Sequence, residues 1–131
     1  MTHAALDRSE RKFAQKRGTP LPEHIVSLFD DDFLQAPVHA ALLSRVSLVV
    51  AMHADGATEA AVQWAHRRQL PVVAVPCCVF PSRFPGRRLR DGRAVVSRHE
   101  FVTYLCETYA LRRERIGAFG GANVACFSLP A

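Results

Sequence analysis

Apolar and polar positions along the chain fall into blocks of two kinds. Residues 46–52, "VSLVVAM", and 70–76, "LPVVAVP", are short, nearly continuous runs rich in β-branched residues, the pattern of parallel strands buried on both faces. Between them, 55–69, "DGATEAAVQWAHRRQ", has a helical pattern, with Asp55 placed to cap it, Glu59 in the first turn, and Arg67 and Arg68 in the last. "SRHE" at 97–100 is an S-x-x-E capping box that opens a further helix through "FVTYLCETY". Upstream, "HAAL" (3–6) and "HIVSLF" (24–29) read as strands. "RSERKFAQKR" (8–17) reads as a charged helix closed by Gly18, and 36–45 as a short helix. Trp64 is expected between its helix and the sheet. The end of the chain, "RIGAF", the turn "GGAN" and "VACFSL", predicts an antiparallel hairpin.

This order predicts one α/β domain over residues 1–131: a mostly parallel, doubly wound sheet finished by an antiparallel pair. Ligands of such sheets lie beyond the carboxyl ends of the strands. Here those ends are 6–9, 29–33, 52–59 and 76–80, and they hold most of the unusual polar residues.

Composition narrows the class. At 131 residues, 49% hydrophobic and 22% charged, the chain suits a single globular domain. It has no apolar run near the membrane-spanning length, and "MTHAALDRSERKFAQKRG" lacks the apolar stretch of a signal peptide, so a soluble, cytoplasmic protein with no membrane partner is expected. The four cysteines lack C-x-x-C spacing, so reduced thiols are the expectation. Cys77 and Cys78 are adjacent; on an extended segment they point to opposite faces and cannot share one ion, so no metal site is expected. One would then pack as a small hydrophobe while the other lines the cleft.

Net charge is +5, and because Lys12 and Lys16 are the only lysines, 15 of the 17 cations are arginine. The loop "SRFPGRRLRDGRAVVSR" contains Arg83, Arg87 and Arg88, which suit a phosphate-bearing partner such as RNA or, equally, an ordinary solvated loop. His53 follows a strand and precedes a helix; it either takes a proton from an acceptor hydroxyl or hydrogen-bonds backbone at that turn. Cys77 is a candidate nucleophile if Arg83 or His53 lies close enough to favour its thiolate.

"DRSERKFAQK", "MHADGATEAAVQWA", "VVAVPCCVF" and the terminal "FGGANVACFSLP" resemble segments of class I S-adenosylmethionine-dependent methyltransferases, in the group that includes a tRNA ribose 2′-O-methyltransferase. The resemblance implies that S-adenosylmethionine is the cofactor. Asp7 would then meet its ribose, and Phe29, Asp30 and Asp31 its adenine, with His53 adjoining. Asp55, Pro76, Cys78, Arg83, Arg87 and Arg88 would face the acceptor. The sequence has Asp55 where the group tends to have cysteine. The group's first strand and glycine-rich turn would stand about twenty residues upstream of residue 3, so an incomplete or degenerate chain is expected. Without that central strand the sheet is expected to have open edges, which residues 3–6, a partner chain or a second copy would have to pair. Two alternatives to methyl transfer stay open: a non-catalytic α/β interaction module completed through such an edge, and a thiol-dependent binding or redox domain.

Overall fold

The computed structural model describes residues 7–20, 22–117 and 120–130. Four strands form one open mixed sheet: β1 (Val49–Met52), β2 (Val72–Val75), β3 (Arg112–Arg115) and β4 (Val124–Phe127), in the order β1-β2-β4-β3. β1 and β2 are parallel, in the register Val49 to Val72 through Met52 to Val75. β4 runs antiparallel to both its neighbours, so it alone is reversed.

The helices follow from local chemistry. In α1 (Arg8–Arg17) the Asp7 carboxylate accepts from the amides of Ser9 (2.6 Å) and Glu10 (2.9 Å), and Glu10 accepts in return from the Asp7 amide (2.8 Å). Gly18 at φ 62° closes it in the left-handed conformation that glycine tolerates best. The same reciprocal box, Ser97 with Glu100, starts α5 (Arg98–Tyr109). α4 (Thr58–Arg67) instead grows out of a 3₁₀ turn at Asp55–Ala57 and has no side-chain cap. Short helices α2 (Asp31–Gln35) and α3 (Ala40–Ser44) flank a 3₁₀ turn at Pro37–His39.

α4 packs on β1 and β2, α5 on β4 and β3, and the two helices touch each other. Ala51, Val72, Ala74 and Cys126, which share one sheet face by register, are buried with Val62, Ala65, Phe101, Val102 and Leu105 of these helices. This core fixes the relative positions of the β1 and β2 tips.

Several sequence expectations are met differently in the structure. Residues 24–29 form no strand: Val26 and Leu28 are exposed and the segment pairs with no neighbour, so apolar composition alone does not make it extended. The strand expected over 46–52 begins at Val49 and is not buried on both faces, because β1 is an edge strand whose Val50 and Met52 are 60% and 61% exposed. Asp55 does not cap α4; at φ 48° its side chain turns toward Cys77. Trp64 meets Phe29 edge-on at 6.1 Å and carries the Arg68 guanidinium 5.5 Å from its ring centre. The predicted strand at 3–6 lies outside the described residues. The predicted hairpin forms, but its first strand is the all-charged Arg112–Arg115 rather than "RIGAF".

Candidate functional site

The parallel pairing of β1 and β2 brings the residues after each strand to one end of the sheet. The His53 amide extends the ladder by donating to the Val75 carbonyl (3.1 Å), which places the turn at 53–57 against the segment that begins at Pro76. His53 and Asp55 both adopt left-handed backbone, at φ 50° and 48°, a conformation costly for residues with a Cβ and concentrated where a side chain must be aimed. The His53 ring Nε2 is 3.2 Å from the Ala122 carbonyl, ahead of β4. A carbonyl can only accept, so Nε2 carries hydrogen and a neutral ring keeps its lone pair on Nδ1. Of the two sequence readings of His53, the backbone bond is present, at Nε2.

The chain leaves the sheet after Val75, and this overturns the expectation that Cys77 and Cys78 face opposite sides. The Cys77 thiol donates to Asp55 Oδ1 at 3.1 Å, and an Asp55 oxygen and both sulfurs lie within 4.8 Å of one another. The thiol bonds from Cys77 and then Cys78 hold the Asp55 carboxyl below the usual carboxylate range. The Cys78 thiol is pushed up to about 11, first by its bond with Cys77 and then by the one with Asp55, since ionisation would set a thiolate against a carboxylate. All four cysteines are free. Arg83, invoked to favour a Cys77 thiolate, has its guanidinium carbon 5.6 Å from the ring centres of both Phe80 and Phe84.

Two clefts open beside this turn. One, of about 630 Å³, is lined by Phe29, Asp30, Asp31, Gly56, Arg83 and Phe84 among others, so it unites three of the residues the resemblance assigned to a cofactor with an arginine assigned to the acceptor. Gly56 matters here, because a Cβ at that position would sit 3.1 Å from an Arg83 guanidinium nitrogen. Asp30 also caps α2 through the Phe33 amide (3.0 Å). Asp7 does not line this cleft; its Oδ1 is occupied by the cap of α1 and by the Ser9 hydroxyl (2.6 Å). The second cleft, about 540 Å³, is lined by Pro76, the α5 start at Ser97, Arg98 and His99, and by Arg113, Arg115 and Asn123.

The arginine loop divides. Arg88 stays exposed, donating to the carbonyls of Pro85 (3.0 Å) and its neighbour Arg87 (3.1 Å). Arg87 is 5% exposed and withdrawn from the surface: it donates to Glu59 (2.5 Å) and the Val79 carbonyl (2.8 Å), with its guanidinium 3.9 Å from the centre of Phe84 and 4.3 Å from that of Phe101. Glu59 also accepts from the hydroxyls of Tyr104 (2.6 Å) and Tyr109 (2.9 Å). Sequence reasoning missed this hub, since Glu59 looked like an ordinary first-turn acid. It also missed Arg113 and Arg115, which reach the second cleft only because β3 is a strand.

No protein-family model, no curated protein and no solved structure matches the chain.

Proposed function

We propose that this chain is a methyltransferase-like domain of Rossmann-like type, working in the cytoplasm with S-adenosylmethionine on an RNA or other phosphate-bearing acceptor. The observation that carries the reading is a cleft at the carboxyl ends of the parallel strands, lined by Phe29, Asp30 and Asp31 together with Ala54 and Gly56 of the turn that follows His53. Such a crevice is where open α/β sheets hold their ligands. The reversed strand β4 between β2 and β3 agrees with the closing hairpin that the resemblance implies.

The cleft fits the cofactor's adenosine portion in size and chemistry. Its 630 Å³ lies within the range of small-molecule sites. The Asp30 and Asp31 carboxylates accept from an amino group, and Phe29 offers an apolar ring. Bound there, the cofactor supplies a methyl group on a positively charged sulfur. The chain's own work is to align an acceptor and exclude water, since positioning lowers most of the barrier of such a transfer. His53 Nδ1 is the group that takes the acceptor's proton. Arg98, Arg113 and Arg115 supply the cationic wall that a phosphate-bearing acceptor needs.

Isothermal calorimetry with S-adenosylmethionine and its demethylated product tests the reading. Binding with a Kd of about 1–100 μM, weakened about tenfold by Asp31→Asn or Phe29→Ala, is expected; an affinity no better than about 1 mM would overturn it. One observation favours a second reading. The exposed Val50 and Met52 lie on an edge strand, as in a module that pairs with a second copy or a partner strand. Light scattering that gives a dimer in which Val50→Lys restores the monomer would support it.

A further inference from the structure

We propose that Asp55, Cys77 and Cys78 form a three-ligand site for a thiophilic divalent cation of the zinc type. The first ground is geometry. An Asp55 oxygen and the two sulfurs all lie within 4.8 Å of one another, and the Cys77 sulfur is 3.1 Å from Asp55 Oδ1. Tetrahedral zinc with its usual bond lengths to sulfur and oxygen sets neighbouring ligand atoms roughly 3.4–3.8 Å apart. Small side-chain rotations therefore close the site without moving backbone.

The second ground is how firmly the ligands are held. Asp55 has left-handed backbone, and His53, two residues before it, is tied to both β2 and the chain before β4. The cysteines follow Pro76, which is fully buried at the end of β2. The ligands sit in the two segments that directly follow paired strands, which limits how far they can move apart.

The third ground is charge. Three groups that become anionic on ionisation converge here, and among the described residues no Lys or Arg forms an ion pair with Asp55. Once ionised, three groups this close repel one another. A dication resolves it: two S–H bonds break, two metal–sulfur bonds form, two protons pass to solvent, and no electron moves. Two thiolates select zinc, cadmium or cobalt over magnesium and calcium, which prefer oxygen. Three protein ligands leave the fourth position to water or a small ligand, as in reactive rather than purely structural zinc sites.

The proposal does not rest on the methyl-transfer reading, and its test does not involve that cofactor. Titrating the reduced, metal-free chain with Co²⁺ is expected to produce thiolate-to-cobalt charge-transfer absorption that saturates at about one ion per chain, disappears on adding Zn²⁺, and releases about two protons per ion. Cys77→Ser and Cys78→Ser should each abolish the band, Asp55→Asn should weaken binding by more than about tenfold, and Cys106→Ser should leave it intact. Cys77 and Cys78 lie on the rim, so circular dichroism should show both variants folded. Absence of the band in the unaltered chain, its survival in either rim variant, or its loss in Cys106→Ser would overturn the proposal.

Discussion

Replacing Glu59 with Gln probes the most heavily loaded polar contact in the fold. Arg87 is 5% exposed, and apart from Glu59 its guanidinium has the Val79 carbonyl and the faces of Phe84 and Phe101. The amide keeps the shape and one acceptor oxygen but removes the charge that compensates a buried cation. Breaking a buried pair from one side costs about 3–5 kcal/mol, and the retained acceptor places Glu59→Gln near 3. The chain is 131 residues long, which converts that loss to a fall in Tm of roughly 10 °C. Urea denaturation followed by circular dichroism measures it. A second readout is unusually clean, because the chain has two tyrosines and both donate to Glu59. Burial first, then Glu59, raises both phenols, Tyr104 to about 12. An acid whose folded pKa is raised stabilises the fold fully below its unfolded value near 10 and loses that contribution as pH climbs toward 12. Ultraviolet titration should therefore show late phenolate formation, and Glu59→Gln should bring it earlier. A loss below about 1 kcal/mol, the value of a surface pair, together with unchanged phenol titration would refute the reasoning.

Other expectations are more local. Ser97→Ala removes the α5 capping box and should cost about 1 kcal/mol in thermal or chemical denaturation. Leu105→Ala, at a fully buried position where α5 meets the sheet, should cost about 2–5 kcal/mol. Val50→Lys should change monomer stability by less than about 0.5 kcal/mol, and a drop of 2 or more would mean that this face of β1 is covered.

What could be read from the chain follows from which signals are local. β1, β2, α4 and α5 were legible because β-branched runs, a 3.6-residue pattern and an S-x-x-E box act over neighbouring residues. The strand Arg112–Arg115 was not, since four exposed charged side chains carry no strand signal; pairing with β4 makes it a strand, and its charges suit a sheet edge. The misread strand at 24–29 is the converse case, apolar residues with no partner. At the site, the position of His53 could be anticipated from the strand pattern. The convergence of Cys77, Cys78 and Asp55 could not, because it depends on a left-handed turn at Asp55 and on the chain leaving the extended path after Val75. Glu59 and Arg87 are 28 residues apart, and only tertiary folding joins them.

The central claim is that the turn after β1 and the 29–31 segment build one ligand cleft. Amide chemical-shift mapping during titration with S-adenosylmethionine tests it most directly. The account predicts saturable shifts concentrated at Phe29, Asp30, Asp31, Ala54 and Gly56. Titration that leaves those amides unmoved, or moves instead those of Arg98, Arg113 and Arg115, would contradict it.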